Sequence, residues 1–152
     1  MEIRAVEPAD APALEPLFTQ WGHPLGPEEL AVQIRSWRDA PAAEFYVAVV
    51  QGELAGMAAV AATPHLGRPG RTARLMGLAV RDGYRRRGIG RFLLDEATRR
   101  ATVWGCDQLE LTSSRSRDAA HDFYLALGYR DSCRDHARYV LALPADGGRD
   151  TP

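Results

Sequence analysis

A short basic turn in the middle of the chain, residues 81–91 (RDGYRRRGIGR), holds the residue types best suited to binding phosphate. Guanidinium groups match phosphate oxygens in a fork geometry, and four of the five in this turn lie close to its two glycines: Arg85, Arg86, Arg87 and Arg91. Gly88 and Gly90 lack a Cβ, so an anion can touch the backbone there, and one of the two is expected to need a positive φ. The turn is therefore predicted to bind a phosphate group.

Two elements must hold this turn in place. Residues 72–80 are largely apolar and predict a strand before it, and apolar residues at helical spacing predict a helix after it. The expected inward face of that helix carries Ile89, Phe92, Leu93, Ala97 and Ala101. The first N–H groups of a helix have no intrahelical partner and lie at the positive end of its dipole. A strand that turns into a helix therefore makes a phosphate cradle.

Other phosphate-binding patterns fit this turn less well. A P-loop ends in Gly-Lys-Ser/Thr, and the chain contains no lysine. A dinucleotide fingerprint needs a third glycine three residues after Gly90, where Leu93 stands, and the preceding chain is not the start of a βαβ unit. A solvated basic turn and a nucleic-acid contact remain as alternatives, although the glycine spacing favours the phosphate site.

The run Arg85-x-x-Gly88-x-Gly90 resembles the acetyl-CoA pyrophosphate loop of the GNAT N-acetyltransferase superfamily, Gln/Arg-x-x-Gly-x-Gly/Ala. A second segment, AHDFYLALGY at residues 120–129, is similar to that family's Ala-x-x-Phe-Tyr-x-x-x-Gly-Phe/Tyr motif. Two motifs in the family's order, with a predicted strand between them, are more specific than either alone. The resemblance covers residues 3–143.

This resemblance implies an N-acetyltransferase that transfers an acetyl group from acetyl-CoA, its cosubstrate, to a primary amine by direct attack in a ternary complex. The cleft would open between the strands at Leu78 and Leu109. A backbone N–H near Val80 would hold the thioester oxygen, and Tyr124 would give its phenol proton to the departing thiolate. The implied cofactor-binding residues are Leu78, Ala79, Val80, Arg85, Arg86, Arg87, Gly88, Ile89, Gly90, Arg91, Arg117 and Tyr124.

The sequence departs from the family pattern at the general base. Many relatives carry a carboxylate just before the Leu-Ala-Val triplet, where this chain has Met76-Gly77. His65, Glu28, Glu29 or no dedicated base are the alternatives for an amine that must lose a proton. A chain without a base also fits a second function, a non-catalytic module on the same fold that binds coenzyme A or its acyl form as a sensor or partner.

The second motif carries alternatives of its own. Tyr124 falls on the apolar stripe of its predicted helix, so it also fits a core tyrosine. Arg117 stands where relatives often have Asn, and it could contact a phosphate or amide of the cofactor. Three serines, Ser113, Ser114 and Ser116, precede His121 without a nucleophile elbow, which favours helix capping by Ser116 over a catalytic triad. His65, His121 and His136 lie apart with no ligand spacing, so no metal is expected.

The predicted elements run β, α, α, β, β, β, α, β, α, β, β, which is a mixed α/β fold with helices packed on a largely antiparallel sheet. This order also matches that of the GNAT family. Residues 45–50 and 54–62 are apolar on both faces and predict a central hairpin around Gln51-Gly52. The last two strands are expected from Tyr129 onward and over residues 137–143.

The composition indicates one globular domain. With 152 residues, of which 45% are hydrophobic and 26% charged, the chain can bury its own core, so we expect a single domain over residues 1–143 and a disordered tail over residues 144–152. A formal net charge of −1 creates no overall attraction to nucleic acid or to an anionic membrane, and neither is expected as a partner. The longest apolar run, residues 54–62, is far shorter than the roughly 20 residues of a membrane helix.

Three further expectations concern the cell and the assembly. Cys106 and Cys133 have no disulfide-framework spacing and the N-terminal segment shows no apolar leader, so a cytoplasmic location with free thiols is expected. All 19 basic residues are arginine, which indicates a GC-rich, bacterial genome. An exposed apolar strand near the C-terminal end would favour a homodimer.

Overall fold

The computed structural model describes residues 1–133 and 137–142. The tail over residues 144–152, predicted to be disordered, lies outside the described residues, as do Leu143 and His136. Two compact units are present, one over Met1–Thr112 and one from Ser113 onward. The expectation of a single domain stays a prediction.

The first unit carries five strands and three α-helices. In chain order they are β1 Glu2–Ala5, α1 Ala11–Trp21, α2 Pro27–Asp39, β2 Ala43–Val50, β3 Glu53–Pro64, β4 Arg71–Val80, α3 Ile89–Val103 and β5 Cys106–Glu110. Short 3-10 turns at Pro8–Asp10 and Asp82–Tyr84 were not expected from the sequence. The chain is thus mixed α/β, as predicted.

The five strands form one sheet in the order β1-β2-β3-β4-β5. Neighbouring strands are antiparallel up to β4, and β5 then joins β4 in parallel. The predicted hairpin of β2 and β3 lies inside the sheet, because each of these strands has a neighbour on both sides. The apolar residues on both faces of this hairpin therefore serve two buried layers.

Helices cover both faces of the sheet. On one face, Leu14, Leu17, Phe18, Leu30 and Ile34 of α1 and α2 pack with strand residues into one apolar core. On the other face, α3 packs against Gly56 of β3, whose missing Cβ would lie 3.0 Å from Leu93 Cδ1 and 3.2 Å from Ile89 Cγ2. The fully buried Tyr46 of β2 donates its hydroxyl to the Leu93 carbonyl at 2.9 Å, which fixes α3 on the sheet.

The buried face of α3 differs from the predicted one at a single position. Ile89, Leu93, Ala97 and Ala101 are buried as predicted. Phe92 is instead 36% exposed, and Leu94 takes its place on the buried face. Both residues are apolar, so their types did not distinguish which one faces the sheet.

Among the described residues of the second unit there is one helix, α4 Asp118–Ala126. Gly128 at φ +90° ends it as predicted, with the Tyr129 N–H bonded to the Tyr124 carbonyl at 3.1 Å. Ser116 is not the N-cap, since that position falls to Arg117. The two final strands are not formed in residues 129–133 and 137–142, so the observed order of strands and helices follows the prediction through α4.

Within the described ranges, 1–133 and 137–142, no helix is long and apolar enough to cross a membrane.

Candidate functional site

The turn after β4 has the backbone that its glycine pattern predicts. Gly88 adopts φ +77°, a left-handed conformation that favours glycine, and a Cβ there would meet nothing within 4 Å. Glycine is therefore required at this position by conformation and not by crowding. Gly90 already lies in the first turn of α3, and Arg86 adopts φ +59° without being glycine. The two left-handed residues curl the chain immediately before the helix begins.

A run of backbone N–H groups in this turn is left without a protein acceptor. Tyr84 and Arg85 donate theirs to the Arg81 and Asp82 carbonyls at 2.8 and 3.3 Å, and the Phe92 N–H bonds to the Gly88 carbonyl at 3.0 Å. Between them, in the part of the chain that the structure describes, the N–H groups of residues 86–91 donate to no protein group. Such a run at a helix N-terminus is a binding site for an anion.

The arginine side chains of the turn are exposed and only lightly engaged. Arg85 pairs with Asp82 at 3.1 Å and Arg91 with Asp95 at 3.8 Å, each at an exposed position. The guanidinium of Arg87 lies 5.4 Å from the ring centre of Tyr84. Exposed pairs of this kind contribute little stability, so the side chains are free to turn toward an anion.

Tyr84 ties the turn to the start of β3. Its hydroxyl donates to Glu53 Oε2 at 2.6 Å. This hydrogen bond raises the pKa of the Tyr84 phenol above its ordinary value of 10.0. The tyrosine therefore stays neutral at physiological pH and holds the 3-10 turn against the sheet.

One edge of β4 is open beside this turn. β5 pairs with β4 only from Arg71 to Arg74, and no other strand of the described residues joins that edge up to Val80. The two strands thus separate before Leu78, as expected for a cleft between the Leu78 and Leu109 strands. An extended peptide-like group can pair with backbone left open in this way.

The register of β4 decides which backbone groups face the open edge. Arg81 donates its N–H to the Ala55 carbonyl at 2.9 Å, so this position faces β3. Because such pairs alternate in an antiparallel ladder, Ala79 also faces β3, while Leu78 and Val80 face the open edge. Ala79, which is 7% exposed, therefore belongs to the sheet and the apolar core and does not present its backbone to the cleft as expected.

A bulge interrupts β4 at the Met76-Gly77 position. Ala59 pairs with Gly77 and Val60 with Leu75, so Met76 is the extra residue. A Cβ on Gly77 would lie 2.7 Å from Cη2 of Trp21, so the indole covers this position directly. The ring of His23 stacks against Trp21 with 4.4 Å between ring centres. Aromatic rings thus occupy the space that a side chain at position 77 would fill.

The alternative bases named from the sequence lie in two places: His65 is beside the start of β4, and Glu28 and Glu29 are in the first turn of α2. His65 sits at the far end of β4, where its Nε2 lies 3.1 Å from Asp107 Oδ1. The strand from Thr72, beside His65, to Leu78 spans about 20 Å. Glu29 accepts the Gly26 N–H at 2.9 Å as part of the α2 N-terminus, and exposed Glu28 precedes it. His65 is therefore not brought to the open edge of β4, and the Glu29 carboxylate is engaged at the start of α2.

In the second unit, Arg117 is the N-cap of α4, and Tyr124 lies seven residues further along the same helix. Burial raises the pKa of the Tyr124 phenol above its ordinary value of 10.0, and the charge of Arg117 opposes this increase. The ring packs edge-on against Phe123 and Tyr129, with centres 5.3 and 5.7 Å away. Tyr124 is therefore half-buried and protonated at neutral pH, which is the state that a proton donor needs.

The serines before α4 do not form a triad with His121. The imidazole Nε2 lies 2.8 Å from the Ser114 carbonyl oxygen, and the Ser114 and Ser116 hydroxyls bond to each other at 2.9 Å. No group of three or more His, Cys, Asp or Glu side chains among the described residues is placed to hold a metal ion.

Sequence reasoning missed Gln20, Trp21 and Tyr84, which contact β4 or the turn through side chains. Gln20 and Trp21 belong to α1, far from the turn in sequence, and no spacing pattern connects them to it. The glycine at position 77 was noticed only as a missing carboxylate, although an unexpected glycine in a strand also signals close approach by another group.

Comparison with known proteins identifies the family of this chain. The family described as Acetyltransferase (GNAT) family matches residues 11–129. The chain therefore belongs to the GNAT family of acetyltransferases, as its two motifs predict.

A relative with an assigned activity is the aminoalkylphosphonate N-acetyltransferase of Salmonella typhimurium, which is 32% identical over 103 residues. The match covers 68% of this chain and 65% of that relative. Among solved structures, a protein of Agrobacterium tumefaciens str. C58 proposed to be an acetyltransferase has a TM-score of 0.81 at 22% identity. The match covers 94% of this chain and 100% of that protein's chain. The ribosomal-protein-alanine N-acetyltransferase of Brucella melitensis has a TM-score of 0.74 at 20% identity, with the same coverage. At these identities the two structures establish the fold.

Proposed function

We propose that this chain is an acetyl-CoA-dependent N-acetyltransferase that acts on a primary amine. The observation that carries the proposal is the run of unpaired N–H groups over residues 86–91, which begins α3 beside the open edge of β4. The run suits the diphosphate of coenzyme A, and the open strand edge suits the amide groups of its pantetheine arm. Both features are contiguous in the chain, as one long ligand requires.

In the proposed complex, the N–H groups and the arginines of the turn hold the diphosphate. Leu78 pairs with the pantetheine arm as an added strand would, and Val80, on the same edge, lies at the thioester end of the ligand. Val80 contributes its N–H alone, because its carbonyl already accepts a hydrogen bond from the Gln20 side chain at 2.8 Å. In the second unit, Arg117 is proposed to contact a phosphate or amide of the cofactor.

The reaction proposed is direct attack of a neutral amine on the thioester carbonyl carbon. A new C–N bond forms, and the carbonyl oxygen takes up negative charge, which the Val80 N–H stabilises. The C–S bond then breaks and Tyr124 donates its phenol proton to the departing thiolate. The amine proton passes to solvent, since Trp21 covers the position of the usual carboxylate at Gly77.

The amine acceptor is proposed to be small or a peptide N-terminus. One relative is named for aminoalkylphosphonates and one solved structure for a ribosomal-protein alanine, and both are named as N-acetyltransferases. A 1-aminoalkylphosphonate and an alanine-initiated peptide are therefore the first probes.

The test is release of free thiol from acetyl-CoA with each of these amines. Release that requires both amine and protein supports the enzyme, and mass spectrometry of the amine should show one added acetyl group. Thermal stabilisation by coenzyme A without release across a wide panel of amines would instead support the second candidate, a non-catalytic binding module. The covered, base-free position at Gly77 is the observation that favours this second candidate.

A further inference from the structure

The carboxamide of Gln20, on the last turn of α1, bridges the end of β4 and the start of the arginine turn. Its Nε2 donates to the Val80 carbonyl at 2.8 Å, and its Oε1 accepts the Asp82 N–H at 3.0 Å. Val80 is the last residue of β4, and Asp82 opens the 3-10 turn that leads to the phosphate cradle. One side chain therefore pairs with the carbonyl of Val80, before Arg81, and with the N–H of Asp82, after it.

The junction is held from two directions. From the sheet side, the Arg81 N–H bonds to the Ala55 carbonyl of β3 at 2.9 Å. From the opposite side, the Gln20 bridge holds the neighbouring residues, Val80 and Asp82. Between them, these bonds set the direction in which the backbone leaves β4. The Val80 N–H and the start of the cradle depend on that direction.

The geometry requires a long carboxamide. One planar group must present a donor and an acceptor side by side, and the uncharged carboxamide of Gln or Asn does so. Asn is one methylene shorter and cannot span both partners from the same backbone position. The helix itself is held by other residues, because its buried Leu14, Leu17 and Phe18 belong to the main core. Loss of the amide should therefore disturb the junction more than the fold.

We propose that Gln20 is a positioning residue for coenzyme A, and this inference rests on the proposed function. It acts through the backbone of residues 80–82 and touches no reacting atom. By holding this junction, it aligns the open edge of β4 with the diphosphate cradle, so that one ligand can use both. It also links α1, which covers the bulge at Gly77 through Trp21, to the cofactor turn.

The test compares Gln20→Met with Gln33→Met, a matched change on the exposed face of α2. The measurements are the Kd for coenzyme A by calorimetry, the KM for acetyl-CoA with a 1-aminoalkylphosphonate, and the thermal midpoint without ligand. For Gln20→Met we expect a Kd and a KM about 10-fold above those of the wild type. A change of this size corresponds to the net contribution of one or two hydrogen bonds. The Gln33→Met values should equal those of wild type.

Gln20→Asn is the second variant, since it keeps an amide and loses only reach. Weaker coenzyme A binding by this variant, at a midpoint near that of wild type, supports positioning. If both Gln20 variants bind coenzyme A with a Kd within twofold of that of the control, Gln20 is only structural, whatever the thermal midpoints of the variants. This result would overturn the inference. Failure of the folded wild-type protein to bind coenzyme A would overturn the proposed function and this inference together.

Discussion

At the scale of single residues, the candidate site is made mostly of backbone. Residues 86–91 present N–H groups that need no particular side chain, whereas their conformation depends on Gly88 at φ +77°. Loss of one exposed arginine removes a screened charge, but a Cβ at Gly88 alters the direction of several donors at once. Gly88 should therefore matter more for binding than any one of Arg85, Arg86 or Arg87.

Gly88→Ala tests this ranking. The left-handed backbone makes alanine unfavourable by about 1 kcal/mol, and relief of that strain would turn the donors away from the ligand. We expect a lower free energy of unfolding in urea and a coenzyme A Kd at least 10-fold higher. Gly83→Ala is the matched control, because Gly83 is in the same turn without a left-handed φ and with open space around its Cα. Affinity equal to that of Gly83→Ala, or a loss of affinity smaller than that of Arg85→Ala, would contradict the ranking.

Tyr124→Phe tests the proton donor. Removal of the hydroxyl should lower kcat for acetyl transfer about 100-fold and leave the Kd for coenzyme A unchanged, because only the leaving thiolate needs the proton. Since burial raises the pKa of this phenol above its ordinary value of 10.0, the wild type should keep the donor at neutral pH and lose kcat only as the pH rises through that raised pKa. Tyr139→Phe, at a position 93% exposed, is the control. A Tyr124→Phe variant with wild-type kcat would leave Tyr124 as a packing residue.

At the scale of elements, β4 is the strand on which the site depends. Its two edges differ, because one is paired along its length with β3 and the other is paired with β5 only up to Arg74. Its faces differ too, since Trp21 of α1 lies on Gly77 while Ile89 and Leu93 of α3 pack beside Gly56 of the next strand. The strand can therefore offer backbone to a ligand at one edge while remaining fixed at the other.

Gly77→Ala tests the contact between α1 and β4. The new methyl group would lie 2.7 Å from Cη2 of Trp21, so the indole must move. We expect the free energy of unfolding in urea to fall by about 1–3 kcal/mol. Gly67→Ala, at a position with open space, should have a smaller effect.

A double-mutant cycle checks the cause. Trp21→Leu frees the space above position 77, so the cost of Gly77→Ala should largely disappear in the Trp21→Leu background. Purely additive effects of the two substitutions would mean that the clash is not what destabilises the variant.

The sequence allowed the elements around the turn to be predicted, because their determinants are local. The apolar run over residues 72–80, the two glycines of the turn and the apolar spacing of α3 were enough to predict a strand, a turn with one left-handed glycine and a helix. The bulge at Met76, the indole over Gly77 and the Gln20 bridge could not be predicted, since each depends on α1 meeting β4 in space. The two C-terminal strands were predicted from apolar alternation alone, and residues 129–133 and 137–142 do not form them.

At the scale of the whole molecule, ion pairs on α3 link stability to pH. Hydrogen bonds from Arg99 and Arg100 hold the pKa of Glu96 at about 2, below its ordinary value of 4.5. Arg100 also pairs with Glu44 of β2, so the cluster joins helix and sheet. Because the folded chain holds Glu96 ionised, its contribution is present above pH 4.5 and is lost as the pH falls toward 2.

Glu96→Gln should weaken this pH dependence. The wild-type free energy of unfolding should fall between about pH 5 and about pH 3, and the variant should lose less over the same interval because it has no proton to gain. Urea titrations at several pH values measure both slopes. Glu15→Gln, an exposed change on α1, should keep the wild-type slope. Parallel curves for Glu96→Gln and wild type would show that Glu96 does not contribute in this way.

The family match over residues 11–129 includes the arginine turn of the first unit and the Tyr124 motif of the second. Both sequence motifs therefore fall inside the matched region. The homodimer remains a prediction, and the strand on which it was based is not formed in residues 137–142.

The central claim is that unpaired N–H groups over residues 86–91 bind the diphosphate of coenzyme A. Calorimetric titration of coenzyme A into the wild-type protein tests it most directly. We expect one ligand per chain, with an affinity that decreases as salt is added, because exposed arginines contribute to it. If circular dichroism shows that the protein is folded and the titration gives no heat of binding with coenzyme A or acetyl-CoA, the claim is contradicted.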